Sequence, residues 1–162
     1  KQSGAMSARA GVILAMEIMD TKFVCTIVRA MHYLKEIPSP YFKIYPDMGN
    51  LSNFSSDVEG ELELGFADIV AIHVKETKPG VFKCVPFGEG CVRFTDIFRK
   101  LKELGYSGMF LIEMWADNTI NNSFDDAVNN IREARMFVED KMKQAGLLTP
   151  PPQDNKKAGR TA

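Results

Sequence analysis

Two histidines, three cysteines and one tryptophan are all that this chain of 162 residues holds of those scarce side chains. The cysteines, Cys25, Cys84 and Cys91, are odd in number and lack CxxC spacing. That argues against a zinc ribbon or a disulfide framework and predicts reduced thiols, with a Cys84–Cys91 redox pair as the lesser reading. No apolar run approaches the roughly 20 residues that span a bilayer, so no membrane partner is expected. No strong charge of either sign is present: the net charge is −1, with 25% charged residues. Without a basic tract, no nucleic-acid partner is expected. No secretory-type segment opens the chain, which predicts a cytoplasmic protein.

The length is one domain's worth and allows a sizeable core. The chain opens Lys-Gln-Ser-Gly without an initiator Met, and Ala5 to Ala10 read as the end of a helix. Both features predict a fragment of a longer protein. After Leu148 comes Thr-Pro-Pro-Pro and a polar segment, so residues 148–162 are expected to be a disordered tail behind a domain of residues 1–147.

Between these ends the apolar pattern alternates between two periods. Val12 to Ile18 is a continuous apolar run broken only by Glu17, suited to a strand buried on both faces. Thr26 to Lys35 carries Ile27, Val28, Met31 and Leu34 at helical spacing, and Pro38 and Pro40 end it. Phe42 to Tyr45 is a short strand running into a Pro-Asp-Met-Gly-Asn turn. Ser56-Asp57 can cap a helix from Val58 to Leu64. Ile69 to Val74 is a further buried strand, followed by a long loop from Lys75 to Gly90. Thr95 can cap a helix ending near Leu104, with Gly105 as its left-handed stop. Met109 to Met114 is the fourth strand, and Ser123 begins a last helix from Phe124 to Lys143.

Four such βα units predict a parallel α/β sheet. An open doubly wound sheet and half of a (β/α)8 barrel both fit. Four metal-type side chains favour the half-barrel: Glu17, Asp47, His73 and Glu113 each sit at or near the C-terminal end of a different strand, where barrel active sites lie. An ionisable group at the end of an apolar run is costly unless paired or bound to a metal. Three carboxylates and an imidazole suit Mn²⁺, Mg²⁺ or Co²⁺, with Zn²⁺ also possible. Asp47 alone also reads as a turn residue after Pro46, and a lone His73 as a core histidine. Glu17 and Glu113, inside apolar strands, are harder to account for without a partner.

The segments AMEIMD, YPDMGNLS, IVAIHVKETKPGVFKCVPFGEG and YSGMFLIEMW closely resemble the L-ribulose-5-phosphate (L-xylulose-5-phosphate) 3-epimerases of the ascorbate-utilisation type. Those belong to the xylose-isomerase-like TIM barrels. The resemblance runs from about Ala5 to Gly146 and implies strands five to eight of that barrel. It implies one divalent metal ion held by Glu17, Asp47, His73 and Glu113. It also implies inversion at C3 of a ketopentose phosphate through a cis-enediolate, with Glu17 and Glu113 as the acid–base pair and the metal as Lewis acid. The setting would be L-ascorbate or pentose catabolism. Alternatives are an inactive half-barrel, or an isomerase or abasic-site endonuclease of the same superfamily.

Other residues divide between two roles. Asn50 stands where related sugar 3-epimerases often carry His, and can bond a sugar hydroxyl or support the turn before it. Lys75 and Lys78 follow His73 and are candidates for substrate or phosphate contact, or solvated loop lysines. Glu89 reads as loop-fixing. Trp115 reads as packing against the last helix or as a sugar-site wall, and Met16, Met19 and Met114 as core filler. A half-barrel has open strand edges, so pairing with a second copy or with the missing half is expected.

Overall fold

The computed structural model describes residues 2–115 and 123–148. The tail expected over 148–162 therefore lies, beyond Leu148, outside the described residues. Helix α1 (Gln2–Ala10) ends at Gly11, whose φ of 65° reverses the chain into strand β1 (Leu14–Glu17). Helix α2 (Ile27–Glu36) starts where the Thr26 hydroxyl accepts the Arg29 N–H at 3.2 Å. Strand β2 (Phe42–Tyr45) leads into helix α3 (Met48–Phe54), and helix α4 (Val58–Gly65) is capped by Asp57, which accepts the Gly60 N–H at 2.9 Å. A 3-10 turn (Phe66–Asp68) precedes strand β3 (Ala71–Val74). Helix α5 (Phe94–Glu103), strand β4 (Met109–Ile112) and helix α6 (Phe124–Gln144) complete the order, and α6 opens with a reciprocal Ser123–Asp126 capping box.

Two expectations fail locally. The Pro-Asp-Met-Gly-Asn segment is a helix start, not a free turn: the Asp47 carboxylate accepts the Asn50 N–H at 2.6 Å and caps α3. Thr95 does not cap α5. The helix begins two residues earlier than such a cap implies, with Arg93 at the cap position and no side-chain cap bond.

All four strands are parallel and run in chain order. Strand β1 pairs with β2, with Glu17 opposite Tyr45, and β3 pairs with β4, with His73 opposite Leu111. Between the two pairs lie single bridges, Ile44 to Ile69 and Asp47 to His73, and the His73 N–H donates to the Pro46 carbonyl at 2.8 Å.

Side chains alternate across each strand, so the sheet has two unlike faces. One face carries Ile18, Ile44, Ile72 and Val74, all fully buried beneath the helices, where they join Ile27, Leu62, Ile97, Phe98 and Leu101 in one core. The opposite face carries Met109 and Leu111, exposed at 68% and 43%. The expectation of burial on both faces, made for Val12 to Ile18, fails at the start of that run, where Val12, Ile13 and Leu14 are exposed. On β4 the exposure of Met109 and Leu111 has a geometric reason: the crossover helices cover one side of the strand. Met19 and Met114 are likewise exposed, and only Met16 of the three strand-end methionines packs on the core.

Candidate metal centre

The uncovered face is the one that carries the ionisable residues. Glu17 is the last residue of β1, Asp47 lies two beyond β2, His73 is the third residue of β3, and Glu113 directly follows β4. Parallel register brings these ends side by side. Each offers one ligand atom, and the four atoms lie within 4.8 Å of one another. The His73 Nδ1 is at the centre, 2.9 Å from Glu17 Oε1, 3.2 Å from Glu113 Oε2 and 3.9 Å from Asp47 Oδ2. The His73 ring rests on Tyr45, with centroids 4.2 Å apart.

Asp47 is fully buried. Its Oδ1 is committed to the α3 cap, and among the described residues its Oδ2 has no hydrogen-bond partner. The Lys75 ammonium lies 3.3 Å from that oxygen, close enough to pair electrostatically but not aligned as a hydrogen bond. Burial pushes the Asp47 carboxyl up to about 7, with Lys75 and the Asn50 N–H opposing the rise. Glu113 moves the other way. Burial again opposes its ionisation, but hydrogen bonds from Trp115 and Lys75 outweigh it and hold the carboxyl below its ordinary value. Tyr45 is raised by burial and by the neighbouring Glu17, Glu113 and Asp47 carboxylates.

These residues fit a divalent cation. A single imidazole nitrogen carries at most one proton and cannot serve three carboxylates at once. One ammonium, from Lys75, leaves negative charge in excess, and a buried carboxylate oxygen is left without a donor. Carboxylate oxygens with one imidazole nitrogen are a predominantly hard donor set.

The remaining predicted residues divide. Asn50 is buried, and its amide donates to the Ile18 carbonyl at 3.0 Å, tying α3 to the end of the first strand, while its Oδ1 is buried without a partner. Lys75 is inside the quartet: it donates to Glu113 Oε1 at 3.0 Å and is only 6% exposed. Lys78 is exposed on the loop and pairs with Glu89 at 3.6 Å. Trp115 is also exposed, and its indole N–H donates to Glu113 Oε1 at 2.7 Å. All three cysteines are free, Cys25 buried and the other two exposed.

Sequence reasoning missed Glu76 as the anchor of the loop after β3. It is buried and accepts N–H groups from Thr77, Gly88 and Val92, at 3.1, 3.1 and 3.2 Å. Gly90 lies so close to this carboxylate that any Cβ there would collide with it. The only available signal was a glutamate in a glycine-rich loop, and that has no period to read. A cavity of about 340 Å³ lies behind Glu76, bounded by Arg93, Phe94, Phe137 and Lys141, and none of the quartet lines it.

Comparison with known proteins fits this geometry. A family model described as xylose isomerase-like TIM barrel matches residues 1–141. The chain is 47% identical over 148 residues to the L-ribulose-5-phosphate 3-epimerase UlaE of Escherichia coli K12, a match covering 91% of this chain and 50% of that protein. The Escherichia fergusonii protein of the same name matches to the same extent. The chain thus spans about half the length of these curated relatives. Among solved structures, a D-psicose 3-epimerase from Clostridium cellulolyticum superposes with a TM-score of 0.71 at 14% identity, over 87% of this chain and 53% of that one. An L-ribulose 3-epimerase gives 0.67 at 16%, over 94% and 56%. At such identities the structures speak for the fold alone. Among the described residues no helix is long and apolar enough to cross a membrane. With four parallel βα units and a family model matched over residues 1–141, the chain belongs to the xylose isomerase-like TIM barrel family.

Proposed function

We propose that this chain is the metal-binding half of a 3-epimerase acting on a ketopentose phosphate, L-ribulose 5-phosphate or L-xylulose 5-phosphate. The four strands are then strands five to eight of an eight-stranded barrel. What supports the half-barrel is the uncovered sheet face, together with the chain's match to half of its relatives. The observation that carries the function is the convergence of Glu17, Asp47, His73 and Glu113 within 4.8 Å at four consecutive strand ends.

In this reading the four residues hold one divalent ion: Mn²⁺, Mg²⁺, Co²⁺ or Zn²⁺. When bound, the ion supplies Lewis-acid polarisation of the substrate's C2 carbonyl. Glu17 and Glu113 come from the two outermost strands, so they can stand on opposite sides of a bound sugar. One removes the C3 proton and the other delivers a proton to the opposite face of the enediolate. The hydrogen bonds on Glu113 keep it ionised and available as a base. Of the three substrate-contact candidates, Lys78 is exposed and offers its ammonium to the phosphate. Asn50 and Lys75 are buried and serve the framework of the site instead.

The proposed setting is a cytoplasmic pathway of L-ascorbate or pentose catabolism. The partner on the open face is the other barrel half or a second copy of the chain. The test is solvent-deuterium incorporation at C3 of L-ribulose 5-phosphate, with and without Mn²⁺. It is run on the chain alone and on the chain co-expressed with the other half of the Escherichia coli relative. Mn²⁺-dependent incorporation with formation of L-xylulose 5-phosphate is expected for the completed barrel. No incorporation in either preparation overturns the epimerase reading.

A further inference from the structure

We propose that Trp115 is a positioning residue for Glu113, acting through its indole N–H rather than through its ring. This rests on the reading of Glu113 as a metal ligand and proton-transfer group.

Glu113 follows the last residue of β4, and its N–H donates to the Val74 carbonyl at 3.0 Å, so its backbone is held by the sheet. Its side chain still has rotational freedom. Among the described residues, two donors remove it. The Trp115 Nε1–H at 2.7 Å and the Lys75 ammonium at 3.0 Å both bind Oε1. The other oxygen, Oε2, is the one that faces the His73 Nδ1, at 3.2 Å. The carboxylate is thereby divided between its two atoms. Oε1 is saturated by the protein, and Oε2 is presented to the shared centre as a single ligand atom. Hydrogen bonds to a ligating carboxylate commonly tune metal affinity in this way.

The indole itself is placed for this task and for little else. It is 49% exposed, so its ring is not a core element. The Lys83 ammonium lies 4.1 Å from the ring centroid and covers one side of it. An indole nitrogen only donates, so it cannot compete with Glu113 for a cation. Lys75 is shared with Asp47, at 3.3 Å from Oδ2, whereas the Trp115 N–H is given to Glu113. Of the two donors, only Trp115 acts on Glu113 without acting on a second member of the quartet.

The chain contains one tryptophan, which makes the proposal directly measurable. Mn²⁺ is titrated into the chain while indole emission is followed, with calorimetry giving the stoichiometry independently. Quenching that saturates at one Mn²⁺ per chain is expected. Trp115→Phe keeps an aromatic ring and removes the N–H. Calorimetry should then show Mn²⁺ bound about 10- to 100-fold more weakly, with thermal unfolding of the metal-free chain unchanged. In the completed barrel the same change should lower kcat while leaving KM near its original value. If the parent chain binds Mn²⁺ but its emission does not respond, or Trp115→Phe binds Mn²⁺ as tightly as the parent, the positioning role is overturned and the metal site stands. If the parent chain binds no Mn²⁺ by calorimetry, the metal reading fails and this inference fails with it.

Discussion

The Nδ1 of His73 lies 2.9 Å from the Oε1 of Glu17, across the 56 residues that separate them in the chain. The contact spans three strands, from β1 to β3, and Asp47, just past the end of the strand between them, is part of the same group. Replacing the imidazole should therefore weaken the whole cluster. His73→Gln is expected to reduce Mn²⁺ affinity by more than the roughly 10- to 100-fold typical of changes outside the ligand set. Calorimetric titration decides it, and an unchanged affinity would exclude His73 as a ligand.

Asp47 makes the site sensitive to pH. Its carboxyl is raised from 3.8 to about 7, chiefly by burial. Between those values the folded chain holds a proton that the unfolded chain has released. The Asp47 contribution to stability of the metal-free chain therefore falls as pH rises from about 4 to about 7. Divalent metal needs the carboxylate, so its affinity should rise over the same interval. Urea midpoints at pH 5 and pH 7 in the presence of EDTA, compared with those of Asp47→Asn, isolate the effect. A difference that grows in the opposite direction would contradict the assignment.

Glu76 should matter more to stability than to chemistry. Glu76→Ala leaves the N–H groups of Thr77, Gly88 and Val92 without their acceptor. Each unsatisfied buried donor costs about 1–3 kcal/mol, less where water enters. Urea unfolding should show a loss of at least ~2 kcal/mol, with faster proteolysis between Lys78 and Gly90. Wild-type proteolysis kinetics in the variant would remove Glu76 as the anchor.

The core offers a control remote from the site. Phe98 is fully buried and packs edge-on against Phe110, with centroids 5.6 Å apart. Phe98→Ala should destabilise the chain by about 3–5 kcal/mol. If the variant still folds, its Mn²⁺ affinity should match the parent's, as judged by calorimetry below the unfolding temperature.

Much of this arrangement was legible in the residues. Asp57 and Ser123 announced helix starts because a short polar side chain before an apolar period has a physical task there, and α2 was legible from the helical spacing of Ile27, Val28, Met31 and Leu34. The quartet was legible because each member interrupts or follows an apolar strand. Helix α3 was hidden, since MGNLSNF contains glycine and two asparagines, poor helix formers. It forms because Asp47 caps it and Gly49 lets it approach the Lys75 backbone and Thr77 closely. The one-sided burial of β4 was also illegible. MFLIEM reads the same whether helices cover one face or both, and only the number of covering elements decides. Lys75 looked like a loop residue because its strand was expected to end at Val74. The open-face alternation continues one step further and carries its ammonium inward.

The two oxygens of Asp47 have separate employers, one the first turn of a helix and the other the shared centre. That division bears on how this position should be probed. Asp47→Ala removes a ligand and a helix cap together, so an inert product would say nothing about which loss caused it. Asparagine retains the capping oxygen and puts an uncharged amide where the second oxygen was. The conservative change is thus the incisive one, and the drastic change is ambiguous.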